Sequence, residues 1–283
     1  MLINKVGSVE MTMLVENEAR GRSIISEHGL SYWLRTDNGA LLFDCGQGSA
    51  ILPNAKTLDI DLSEVEHVVL SHGHYDHTGG LSKVLELNSK ATLWMHPHAI
   101  EPKFSGSGGK VHRISEAYME SQAFSYPPRP ICPIEAPTEI LPGIMATGSI
   151  PRETEYEDTG GDFYLDAAGT VEDPILDDMS LFFLSSSGLV VILGCAHAGV
   201  VNTLNYILKI TGESRIDTVI GGMHLLHADD ARIDRTIEAF RELKIRRVGP
   251  CHCTGFKPTH RLYEAWGAEH FIRCHAGMRM RFS

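Results

Sequence analysis

The run Ser71-His72-Gly73-His74-Tyr75-Asp76-His77-Thr78-Gly79-Gly80 places four candidate metal ligands within six residues. In extended chain His72 and His74 project to the same side. Asp76 and His77 follow at a predicted turn, so one segment offers two ligands to one metal and two to a neighbour. Glycines at 73, 79 and 80 permit the tight backbone path. Imidazole and carboxylate suit zinc, iron or manganese and do not choose among them. A merely polar surface loop is the competing reading. It explains a lone histidine better than His-x-His-x-Asp-His between a strand and a helix. Two adjacent divalent metals lower the pKa of a shared water and polarise a phosphoryl or carbonyl oxygen.

Three later histidines point to the same place. His197 follows a predicted strand at 189–193, His224 one at 216–220, and His252 one at 247–249. In open α/β sheets the carboxyl edge of the strands is where ligands bind. Cys251 and Cys253 flank His252, but an iron–sulfur cluster wants four thiolates. They read as packing residues.

The elements that must carry these side chains follow from periodicity and turn residues. Strands are expected at 9–15, 30–35, 40–43 and 67–70, with a turn at 36–39 and a helix at 79–87. Further on, a hairpin spans 181–184 and 189–193, and a helix covers 200–210. An amphipathic helix at 229–243 is capped by Asp229 or Asp230, and a last helix at 258–266 starts on a proline. This alternation predicts an α/β (α+β) architecture. Residues 97–174 are irregular, with most of the prolines, the Ser105-Gly106-Ser107-Gly108-Gly109 run and an acidic patch at 153–158. They are expected to form an insertion, a lid or a small subdomain within one domain spanning 1–283. No Lys-Ser/Thr follows the glycines, so linker composition is preferred to a phosphate loop.

With 283 residues, 43% hydrophobic and 22% charged, the chain can bury a full core without disulfides or oligomerisation. The formal charge of -11 gives no electrostatic reason to bind nucleic acid or anionic lipid. The longest aliphatic run, 189–193, is too short to span a bilayer, and the start shows no secretory signal. The six cysteines then read as reduced thiols and the location as cytoplasmic. The expected partner is a small anionic substrate, with no nucleic acid and no membrane. The sequence does not fix the oligomeric state.

The His72–His77 motif resembles the signature of the metallo-β-lactamase superfamily. That resemblance implies a four-layer αβ/βα sandwich, with two mixed sheets face to face, helices outside and metals at one edge. Asp44 matches the aspartate preceding the signature, and its implied role is to orient the histidine loop rather than bind metal. A plain turn aspartate is the alternative. His252 matches the last metal-binding histidine, which puts it with Asp76 and His77 on a second metal. His72, His74 and His197 would hold the first. Two departures stand out. Residues 146–152 lack the usual histidine, and the place of a bridging Gly-Asp reads Gly194-Cys195. Either Cys195 is a ligand, which favours zinc, or His197 replaces the missing histidine and the bridge is water. A small buried residue ending a strand is the other reading of Cys195.

Segments 27–31, 42–46, 70–81, 193–202, 221–225 and 250–255 together look like the family containing the dihydropterin–ribofuranosylaminobenzene phosphate synthase. The expected function is a metal-dependent hydrolase with a dinuclear site, using metal-bound hydroxide on a small phosphorylated or ester substrate. A pterin-synthase-type transferase is the alternative, and a di-iron redox protein a further one. Two divalent ions are expected, zinc first, then iron or manganese. Asp76 would orient the nucleophile. His224 would donate a proton, hold a phosphate oxygen, or itself bind metal. His28, Lys103 and Arg152 are candidate substrate contacts.

Overall fold

The computed structural model describes residues 3–120 and 131–283. The first half contains strands β1 (Val9–Val15), β2 (Ser31–Thr36), β3 (Gly39–Phe43), β4 (His67–Val69) and β5 (Thr92–Met95). Helices α1 (Ile51–Thr57), α2 (Tyr75–Thr78) and α3 (Leu81–Leu87) interrupt them. The middle contains β6 (Phe104–Ser107), β7 (Lys110–Arg113), α4 (Ala117–Glu120), β8 (Ile131–Pro133), β9 (Thr138–Leu141), β10 (Ile144–Ala146) and β11 (Phe163–Tyr164). The last part runs β12 (Ser180–Ser185), β13 (Gly188–Leu193), α5 (Val200–Thr211), β14 (Ile216–Gly222) and α6 (Asp230–Glu242). It ends with β15 (Arg247–Cys251), α7 (Phe256–His270) and β16 (Arg279–Phe282).

Two mixed sheets form, in the orders β16-β1-β2-β3-β4-β5-β8 and β15-β14-β13-β12-β10-β9. Period-two alternation sorts their side chains. Leu181 and Phe183 of β12, with Val190 and Ile192 of β13, meet Met11, Met13, Leu41 and Phe43 between the sheets. Phe182, Leu184, Leu189 and Val191 face the other way, onto Leu204 of α5 and Ile237 and Phe240 of α6. A register shift between Met13 and Val15 turns Leu14 and Val15 outward, onto the layer that holds Ile51 of α1 and Val84 of α3. The result is the four-layer sandwich that the resemblance implies. Strand β13 is buried along its whole length, which explains why its sequence is a continuous aliphatic run.

The irregular segment expected at 97–174 divides. Strands β6, β7 and β11 form a separate small sheet, ordered β11-β6-β7. The presumed linker at 105–109 is the β6–β7 hairpin, whose turn glycines 108 and 109 take φ of 59° and 75°. In contrast, β8 extends the first main sheet, and β9 and β10 extend the second. These strands are three or four residues long, too short to show a period. Helix α7 begins at Phe256, two residues ahead of the expected proline start. Pro258 is then the third helical residue, where a backbone N–H has no intrahelical acceptor to lose.

Asp229 caps α6 by accepting the Arg232 N–H at 2.8 Å. Asp229→Ala is expected to lower stability by about 1 kcal/mol, read as a shifted urea midpoint at unchanged m-value.

Strands β13, β14 and β15 run parallel, as do β3, β4 and β5. The segments bearing His197, His224 and His252 therefore leave the same end of their sheet. The histidine loop leaves the end of β4.

Candidate metal centre

The histidine loop is held from below by two carboxylates. Asp44 follows β3 with φ of 62° and is fully buried. Its Oδ1 accepts the Ser71 N–H at 2.7 Å, and its Oδ2 accepts the Ser71 hydroxyl and His77 Nδ1, each at 2.7 Å. With Nδ1 donating to a carboxylate, His77 presents Nε2 to the cluster. Asp177 Oδ2 accepts the Gly73 N–H at 2.7 Å, fixing the turn between His72 and His74. Asp44→Asn is expected to weaken metal binding about 10- to 100-fold, checked by competition with a chelator.

The ligand atoms fall into overlapping groups. The nitrogens of His72, His74 and His197 lie within 4.8 Å of one another. In the second group, His252 Nε2 is 3.2 Å from both His77 Nε2 and Asp76 Oδ2, and His77 Nε2 is 3.8 Å from that oxygen. Cys195 Sγ sits 3.1 Å from His77 Nε2, and groups with His72 and His77. Buried His74 Nε2 and His197 Nε2 have no hydrogen-bond partner. Orphaned buried nitrogens are costly. His197 Nδ1 faces the Thr159 carbonyl at 2.8 Å, which it can only meet as a donor, so Nε2 keeps its lone pair. The residues present therefore fit divalent metal ions.

The electrostatics agree with that donor set. Burial drives His72 and His197 well below the ordinary imidazole range and His74 down to about 3, leaving neutral rings. His77 is the exception. Burial opposes its charge, but Asp44 and Asp76 outweigh burial and raise it to about 9. Asp76 is ionised despite burial, because His77, His252 and His28 surround it.

His252 is positioned by residues with no motif of their own. Its N–H donates to Glu16 Oε1 at 2.8 Å, and its Nδ1 lies 3.0 Å from Asn17 Oδ1. Both partners follow β1, more than two hundred residues earlier. Asp178, the second residue of the Asp177-Asp178 pair, accepts the Ala198 N–H at 2.8 Å and steadies the His197 turn. Phe163 of the small sheet packs 5.2 Å from the His74 ring and 5.1 Å from that of His197. Positive φ at Asp44, Ala196, His224 and His252 concentrates backbone strain around the cluster.

His224 lies beside the cluster, its ring 4.2 Å from that of His197, but in none of the ligand groups found among the described residues. Burial lowers it to about 4. His28 reaches Asp76 Oδ2 at 3.3 Å from the mouth of the site. Two expected substrate contacts are corrected. Lys103 is buried and ion-paired with Asp173 Oδ2 at 3.0 Å and Asp177 Oδ1 at 2.8 Å, so its charge is spent on the scaffold. Arg152 donates to the carbonyls of His197 and Pro174, each at 2.6 Å, and braces the loop instead of facing the cavity.

Above the cluster opens a cavity of about 770 Å³. Its lining includes Asp76, His28, His224 and His252 together with Phe163, Leu226, Phe256, Tyr263 and Phe271. Arg273 is the single Lys or Arg among its lining residues.

A family model described as the metallo-beta-lactamase superfamily matches residues 26–252. The chain is 32% identical over its whole length to a Methanocaldococcus jannaschii protein, of which it covers 99%. That protein is named 7,8-dihydropterin-6-methyl-4-(beta-D-ribofuranosyl)-aminobenzene-5'-phosphate synthase. An uncharacterized protein of the same organism is 33% identical, over 94% of this chain and 97% of its own length. Among solved structures, Tm1679, described as a metal-dependent hydrolase of the beta-lactamase superfamily, has a TM-score of 0.81 at 31% identity. The match covers 96% of this chain and 98% of that one.

Proposed function

Because this chain belongs to the metallo-β-lactamase superfamily, we propose that it is a two-metal enzyme for a small anionic substrate with a flat aromatic body. The ions neutralise a phosphoryl or carboxyl oxygen and acidify water when bound. His72, His74 and His197 would hold one, and Asp76, His77 and His252 the other. Asp76 also faces the cavity, where it orients the attacking group. Its carboxylate, more than burial, sets His28, raising that imidazole above its usual pKa. His28 sits at the mouth, where its ring is suited to an anionic oxygen. His224, kept neutral near pH 7 by burial, orients a phosphate oxygen and is a poor proton donor there.

The cavity carries this reading. Its volume falls within the roughly 300–1,000 Å³ typical of ligand sites, and aromatic side chains line it alongside the ligand cluster. With only Arg273 as a fixed cation on the wall, substrate charge must be met mainly at the histidine–aspartate floor.

Two reactions suit such a site. In transfer, the amino nitrogen of the aminobenzene bonds to the methylene carbon of a pterin as its C–O bond to pyrophosphate breaks, and the nitrogen gives up a proton to solvent. In hydrolysis, water attacks a phosphorylated or ester substrate. The relative matched end to end, together with the aromatic residues in the lining, favours transfer. The Tm1679 likeness favours hydrolysis.

Zinc-loaded protein should be given a dihydropterin pyrophosphate with an aminobenzene ribofuranosyl phosphate, and separately aryl phosphomonoesters and phosphodiesters. A coupled product with pyrophosphate release is expected. Hydrolysis without coupling would establish the hydrolase. Metal-loaded protein inactive on all of them would end the proposal.

A further inference from the structure

Given the two-metal reading above, we propose that the second metal position carries sulfur: Cys195 and Cys253 ligate there beside His252, making it selective for zinc-like ions over manganese. Cys195 follows β13 and Cys253 follows β15, strands separated only by β14. Their sulfurs and a nitrogen of His252 lie within 4.8 Å of one another. Cys195 Sγ also rests 3.1 Å from His77 Nε2. Both cysteines line the cavity above the cluster, as Cys251 does, so it is their nearness to the imidazole nitrogens that sets them apart.

A cysteine that only filled space would not need to meet imidazole nitrogens. Cys251 supplies the contrast two residues from Cys253. Its sulfur lies 3.7 Å from the Tyr32 hydroxyl and packs within the core between the sheets.

The chemistry is simple exchange. Each thiol loses its proton to solvent and forms one metal–sulfur bond, with nothing oxidised. Thiolate donors favour zinc and cobalt(II), whereas manganese prefers oxygen. The two positions thus differ in donor set, three imidazoles in one and two sulfurs beside His252 in the other, with Cys195 lying between them within reach of His72 and His77.

Cobalt(II) reports sulfur directly. Metal-free protein should be reloaded anaerobically with cobalt(II) and its near-ultraviolet absorption recorded. An intense sulfur-to-cobalt charge-transfer band is expected, with the strength of two thiolates. Cys195→Ser and Cys253→Ser should each remove about half of it, and Cys251→Ser should leave it intact. The band of the unaltered protein stands as a test even if a variant fails to fold. Bound cobalt without the band overturns the sulfur assignment alone, as does a folded Cys253→Ser protein with an undiminished band. Protein that takes up no cobalt removes the two-metal reading and this one with it.

Discussion

His74→Ala is expected to empty the three-histidine position and reduce turnover by about 10³-fold. His74 and His197 both hold an unpaired Nε2 in a dry interior, and His72 Nε2 lies 2.9 Å from His74 Nδ1. Three neutral imidazoles compressed this closely have no mutual hydrogen bonding that satisfies them all. Their arrangement is stable with a cation among them. Removing one leaves two donors, fewer than the three protein ligands catalytic zinc ordinarily has. Metal content by plasma mass spectrometry and turnover on the same sample provide the check. His96→Ala is the matched control, because that buried histidine binds Ser149 Oγ at 3.0 Å, outside the cluster. Full metal content in His74→Ala, at levels equal to the control, would sink the assignment of this position.

What could be read from the sequence depended on the distance over which each signal acts. The His72–His77 loop is local: its ligands are neighbours in the chain, and a strand and a helix bracket it. His197, His224 and His252 were legible because each ends a strand and parallel strands share an edge. The groups that aim those ligands were not legible. Glu16 and Asn17 reach His252 from the far end of the chain, and nothing in Glu16-Asn17 marks them as partners of a histidine. Lys103 and Arg152 look like substrate cations in an irregular segment, yet their partners lie as far as 74 and 45 residues away, at Asp177 and His197. Strands β8 to β10 are too short to impose a period, so their place in the main sheets emerges only from pairing. Cys195 and Cys253 show the same limit. A buried cysteine's spacing does not tell whether its sulfur faces a core or a cluster.

Lys103→Met is expected to cost about 3–5 kcal/mol of stability near pH 7. The ammonium is 1% exposed, between Asp173 at 4% and Asp177 at 0%. Without it two carboxylates face each other in a dry interior, and one of them holds the Gly73 turn of the histidine loop. The pH dependence identifies the cause. In the native protein burial acts to raise the Asp177 pKa, but Lys103 overrides it and holds the carboxyl below its ordinary value. That contribution is complete above the unfolded pKa of about 3.9 and is lost as pH falls through the lower folded value. In Lys103→Met burial, the largest influence, is opposed only by the weaker pull of His74 and the Gly73 N–H, so the folded pKa rises and protonation stabilises the variant as pH falls toward it. The deficit should therefore be largest at neutral pH and should narrow by about pH 4.5 in urea titrations, with m-values unchanged. A lysine that met substrate would behave oppositely, raising KM with stability intact. A deficit below about 1 kcal/mol at pH 7, the level of an exposed ion pair, would overturn the buried-triad account.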